Sequence, residues 1–146
     1  AGVRKLKADG NRVAIGGISM GGFGALLAGL RHPGAFCAVG GHSAALWRTG
    51  GETPEGAFDD AGDFDRNDVF AMASSRRSPL GRSTRVWIDV GDRDPFAPAD
   101  GELWHLLSEH GQKAVFHLWP GEHSGSYWNK HVEEYLRFYA EALASC

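Results

Sequence analysis

The 146-residue sequence predicts an α/β fold built on a parallel sheet. Three observations predict it. Short apolar runs of strand length recur along the chain, and segments of helical periodicity separate them. That alternation implies parallel strands joined by right-handed crossovers. The 21 glycines are scattered among Trp, Phe, Leu and Val rather than gathered in repeats, which suits tight turns and close helix–sheet approach and argues against low-complexity disorder.

The elements follow in order. Arg12 to Gly17 (RVAIGG) reads as a buried strand ending in glycine, and Gly22 to Leu30 (GFGALLAGL) as a helix closed by His32-Pro33. Ala35 to Gly40 (AFCAVG) is a second buried strand. From Trp47 to about Arg85 the chain turns polar and rich in Gly, Pro and Asp. Within it, Asn67 or Asp68 is placed to cap a short helix over Val69 to Ser75. Arg85 to Val90 (RVWIDV) is a third strand, Pro98 to His110 a helix stopped by Gly111, and Ala114 to Trp119 (AVFHLW) a fourth strand. Tyr127 to Leu143 is an amphipathic helix, with Val132, Tyr135, Leu136 and Tyr139 at helical spacing. The expected order is strand, helix, strand, insertion, strand, helix, strand, helix. It forms one domain over residues 1–146, with the insertion 47–85 expected to cover the site.

Composition narrows the function. Apolar residues make up 42% and charged residues 23%, with a net charge of −3 and no basic run, which argues against a nucleic-acid partner. No apolar run approaches the roughly 20 residues that span a bilayer. Cys37 lies in an apolar run and reads as a buried small hydrophobe, and Cys146, the last residue, as a frayed end; two cysteines make no disulfide framework, which leaves a bond between them as the lesser alternative. Asp63-x-Asp65-x-Asn67 begins like a calcium loop. The glycine required at its sixth position is Asp68 and the glutamate required at its twelfth is Ser74, so Asp59 to Asp68 reads as a solvated loop and no metal is expected.

In an open parallel sheet, ligands bind beyond the carboxyl ends of the strands. Chemistry is therefore expected just after Gly17, Gly40, Val90 and Trp119. After the first strand comes Gly17-Ile18-Ser19-Met20-Gly21, a G-x-S-x-G between a strand and a helix. This is the context in which a sharp turn exposes a serine hydroxyl as nucleophile. The backbone N–H of Met20 is the matching oxyanion donor. After the second strand, Gly41-His42-Ser43 offers a rival serine, but a histidine adjacent in sequence is not thereby placed as a base; Ser43 is expected to line the site or bond locally to backbone. After the third, Gly91-Asp92-Arg93-Asp94-Pro95-Phe96 offers two carboxylates, of which Asp94 lies further into the loop and is preferred to Asp92; Asp89 lies within the strand and reads as structural. After the fourth, Gly121-Glu122-His123-Ser124-Gly125 sets His123 in a glycine-flanked loop as base. His32 and His110 sit near helix ends, His105 and His131 within helices, and His117 in a strand. Trp47, Phe96 and Trp128 are expected to bind substrate, with Phe58, Phe64 and Trp119 as further liners or core.

These segments are familiar together. Gly17 to Leu26, with its Gly21-Gly22-Phe23-Gly24, resembles the nucleophile segment of the putative esterase family of the α/β-hydrolase superfamily, which holds S-formylglutathione hydrolases (esterase D), feruloyl esterases and mycolyltransferases. Gly91 to Phe96 is similar to its acid segment, and Gly121 to Ser124 followed by Tyr127-Trp128 to its histidine loop. The resemblance implies an α/β-hydrolase fold from the nucleophile strand to the last helix, with Ser19, His123 and Asp94 as a triad acting on a small-molecule ester without a cofactor. It leaves acyl transfer to an alcohol, or a non-catalytic module, as alternatives. It also implies that earlier strands, and a second oxyanion donor on a loop between them, lie outside this chain. The strand Arg12 to Gly17 would then present an edge for an upstream segment or a second copy.

Overall fold

The computed structural model describes residues 9–146; the first eight residues of the expected domain lie outside the described residues. Four strands form one parallel sheet in sequence order: β1 (Ala14–Ile18), β2 (Ala38–His42), β3 (Arg85–Gly91) and β4 (Ala114–Trp119). Helices connect them: α1 (Met20–Arg31), the short α2 (Ala61–Arg66) and α3 (Val69–Ser74), α4 (Ala97–Glu109) and the closing α5 (Gly125–Ala144). No helix among the described residues is long and apolar enough to cross a membrane.

Side-chain alternation along each strand splits the core into two layers. Val39 of β2 and Val86 and Ile88 of β3 point to one face, where they pack with Leu26 and Leu30 of α1, Phe70 of α3, and Leu103 and Leu107 of α4. Ala38 and Trp87 point to the other, against Tyr135, Phe138 and Ala142 of α5. The register aligns Ile18, His42, Asp89 and His117 as one row across the sheet, so the four loops that follow open at the same end. Of the described sheet, β1 is one edge; Ile18 on it and Leu136 on the neighbouring face of α5 are exposed.

Three expectations are corrected. The first helix starts at Met20 and not at Gly22, because the turn at Ser19 runs directly into it. The stretch Asp59 to Asp68 is not a bare loop: Asp60 caps α2 by accepting from the Asp63 N–H at 2.7 Å, and Phe64 is buried. Asp68 caps the next helix in the same way, accepting from the Phe70 and Ala71 N–H groups at the start of α3. The second half of the expected insertion belongs to the core, through Val69, Phe70, Ala73 and Leu80.

The third correction concerns the cysteines, which are bonded to each other. The 20 residues of α5 leave the carboxyl end of the sheet and run back along it, a path of roughly 30 Å at helical rise. Its far end reaches the strand starts, where Arg12 donates to the Leu143 carbonyl at 3.4 Å and Arg85 lies 4.0 Å from Glu141. Cys146 therefore arrives beneath Cys37, the residue before β2. The bond joins residues 109 apart. A loop of that length is worth about 4 to 5 kcal/mol in the chain-entropy account. The Cys37→Ser/Cys146→Ser variant is expected to lose about 2–5 kcal/mol in urea unfolding. Coincident unfolding curves for oxidised and double-variant protein would contradict this.

Candidate active site

Ser19 stands between β1 and α1 with φ 56° and ψ −117°, in the left-handed region that a residue with a side chain rarely adopts. Such a residue costs about 1–3 kcal/mol and persists only where its surroundings over-determine it. Three backbone hydrogen bonds do so here. The Ser19 N–H donates to the His42 carbonyl at 3.0 Å, and the Ser19 carbonyl accepts from Phe23 at 3.1 Å and from Ala45 at 3.0 Å. Glycine is required beside it: a Cβ on Gly17 would strike the backbone of Gly21.

The three expected side chains meet. Ser19 Oγ lies 2.9 Å from His123 Nε2, and His123 Nδ1 lies 2.8 Å from Asp94 Oδ2. Asp94 is buried, and its other oxygen accepts from the Phe96 N–H at 2.9 Å. Asp92, the other candidate acid, instead accepts from the Gly121 N–H at 3.0 Å and ties the acid loop to the histidine loop. A Cβ on Gly91 would strike Gly121, so the two loops meet closely only with glycine there. A hydroxyl bonded to an imidazole whose far nitrogen is held by a buried carboxylate can pass its proton to the ring as it attacks. As the first residue of α1, Met20 carries an N–H that the helix leaves without an intrahelical acceptor.

Aromatic rings run in a row from the histidine. Phe96 lies 5.4 Å from His123, Trp47 5.5 Å from Phe96, and Phe58 6.4 Å from Trp47, with Phe23 and Phe64 beyond. Trp128 meets His123 edge-on from another side at 5.1 Å. Ser43 is fully buried and reaches the site only through Trp128, whose Nε1 donates to its hydroxyl at 3.1 Å. Trp119 is not in the row; it is sandwiched between His117 and His131 on the α5 face. Of the other histidines, His32 and His110 end helices and His105 pairs with Glu109. Desolvation lowers the His117 pKa.

The residues that sequence reasoning missed lie just behind. Asp89 is fully buried and accepts four hydrogen bonds: from His42 Nδ1 at 2.6 Å, Trp87 Nε1 at 2.8 Å, and the hydroxyls of Tyr127 at 2.9 Å and Tyr135 at 2.8 Å. His42 Nε2 in turn lies 2.8 Å from the Tyr139 hydroxyl. Burial first, and then the Asp89 charge, raise the Tyr127, Tyr135 and Tyr139 pKa values, so these phenols stay protonated as donors. The available signal was the alternation of β3, which puts Asp89 on the face that α5 covers with three tyrosines.

Comparison with known proteins gives a consistent result. The family described as "Putative esterase" matches residues 3–139. A ferulic acid esterase structure is 26% identical with a TM-score of 0.80, over 96% of this chain and 56% of its own. An S-formylglutathione hydrolase from Agrobacterium tumefaciens is 21% identical (TM-score 0.75), over 97% of this chain and 53% of its own. A fluorophosphonate-binding serine hydrolase from Staphylococcus aureus is 17% identical (TM-score 0.73), over 97% and 59%. The latter two show the fold alone, an α/β-hydrolase fold. The chain thus spans little more than half the length of these structures. No curated protein matches it.

One further acid lies against this site. Asp100, in the first turn of α4, is fully buried, and its carboxyl group has at most a weak bond from the Ala44 backbone N–H, which does not offset the burial. Burial, and then the charges of Asp94 and Asp89, raise its pKa well above the carboxylate range. As pH rises above about 4, the unfolded chain releases a proton that the folded chain keeps, so this group makes stability fall with pH. Asp100→Asn is neutral at every pH. Its melting temperature is expected to exceed that of the wild type at pH 8 and to converge on it towards pH 4; parallel pH profiles would refute this.

Proposed function

We propose that this chain, which belongs to the family described as Putative esterase, is the catalytic part of a serine carboxylic-ester hydrolase that works through an acyl-enzyme. The observation that carries the reading is the hydrogen-bonded series Ser19–His123–Asp94, assembled from three separate loops. Family membership and the likeness to a ferulic acid esterase support it.

The steps follow from the geometry. Ser19 Oγ attacks the ester carbonyl carbon while His123 Nε2 takes its proton. The carbonyl oxygen becomes an oxyanion facing the Met20 N–H, and Asp94 stabilises the imidazolium and fixes the ring tautomer. His123 then gives the proton to the departing alkoxide, which leaves as the alcohol. Water repeats the sequence on the acyl-serine, releasing the carboxylic acid and restoring the hydroxyl. The row Phe96–Trp47–Phe58, whose rings meet edge to face, provides an apolar aromatic wall beside His123, which favours esters carrying an aromatic group over short aliphatic ones.

Two measurements test the reading. A fluorophosphonate is expected to add covalently to Ser19 in the wild type and not to Ser19→Ala, and Asp94→Asn is expected to slow turnover on the order of 10⁴-fold. Labelling that survives in Ser19→Ala would move the nucleophile elsewhere. Phe96→Ala is expected to lower kcat/KM for an aryl-acid ester about tenfold more than for an acetate, the range for losing part of an apolar pocket. Equal losses on both esters would remove the aromatic row from recognition.

A further inference from the structure

The buried carboxylate behind the site touches each part of it by a separate route. The Asp89 carbonyl accepts from the Ser43 N–H at 2.7 Å, and its side chain holds His42, whose own carbonyl accepts from the Ser19 N–H. Through Tyr127 it holds the first turn of α5, which starts two residues after His123. The ring of Tyr127 packs where a Cβ on Gly121 would lie, so the tyrosine also defines the path of the histidine loop. Trp128, next in sequence, rests against His123 and donates to Ser43. The nucleophile and the base arrive on different elements, and Asp89 is the group to which both are tied.

We propose that Asp89 is a positioning residue for the Ser19–His123 pair, acting on Ser19 through His42 and on His123 through Tyr127. The inference rests on the assignment of Ser19 and His123 made above. Its reach is directional. Tyr127 and Tyr135 donate to the same oxygen, Asp89 Oδ2, at nearly equal distances, yet Tyr127 is four residues from His123 and Tyr135 lies two helical turns further along α5. A carboxylate that only staples the helix to the sheet would need both tyrosines equally. One that positions the base needs Tyr127 more.

The pair Tyr127→Phe and Tyr135→Phe tests this on the full chain, since each removes one hydroxyl and keeps the ring. Both are expected to lower the melting temperature by similar amounts. Tyr127→Phe is expected to reduce kcat for a short aryl ester, and the rate of fluorophosphonate labelling, on the order of tenfold with KM unchanged, and Tyr135→Phe less than about twofold. The downfield proton resonance of the His123–Asp94 hydrogen bond, which can be read in any folded variant, is expected to shift in Tyr127→Phe and not in Tyr135→Phe. Equal losses in the two variants, or no loss in either, overturn the positioning role alone. A wild-type chain that fails to label at Ser19 overturns the assignment beneath it as well.

Discussion

An ionised carboxylate shut away from water is tolerable only when its lone pairs are filled, and Asp89 fills its own from four directions. The donors come from β2, from β3 itself and from two turns of α5. Satisfying one buried charge therefore fixes the helix against the sheet at a defined height and rotation. An apolar contact between the same elements would tolerate sliding; a charge with four directed donors does not. The layer between sheet and α5 is polar at its centre and apolar only towards the strand starts, where Trp87, Phe138 and Ala142 pack.

The site inherits its precision from this arrangement and from the parallel sheet. Because Ile18, His42 and Asp89 share one row, the loops after β1 and β2 begin level while β3 runs two residues further, and backbone bonds tie the strand ends together, from the Ser19 N–H to the His42 carbonyl and from the Ser43 N–H to the Asp89 carbonyl. The strained backbone at Ser19 is held by bonds to His42 and Ala45, at and just past the end of the neighbouring strand, and by one from Phe23 of α1, with no side chain involved. Standing just ahead of the helix, Ser19 keeps its hydroxyl from turning back on the carbonyls of its own chain.

Much of this was legible in the sequence, and the rest was hidden for identifiable reasons. The meeting of Ser19, Asp94 and His123 could be anticipated because each follows a strand, Ser19 and His123 in glycine-flanked turns and Asp94 before a proline, and these are local signals. The family resemblance and the strand–helix alternation pointed to the same fold; β3 and β4 lie within one residue of the expected bounds, while β1 and β2 begin two and three residues later than expected. Asp89 and His42 were read as a structural aspartate and a histidine beside a rival serine. The tyrosines that join them lie on α5, far along the chain, and the alternation of β3 gives only the face that Asp89 takes, not those partners. The cysteine pair was missed for the same reason: it depends on where a long helix ends relative to the strand starts. Ser43 was expected to line the site or bond locally to backbone; with φ 47° after β2 it is buried instead under Trp128, whose Nε1 donates to its hydroxyl.

The hydroxyl of Tyr139 occupies the space where a Cβ would stand on both Gly16 and Gly40, neighbours across β1 and β2, while it also reaches His42. An alanine at position 16 or 40 would meet that hydroxyl and displace the tyrosine ring, and a displaced ring leaves the imidazole of His42 without its outer partner. Two glycines on neighbouring strands thus keep open the slot through which a helix at the other end of the chain reaches a buried histidine.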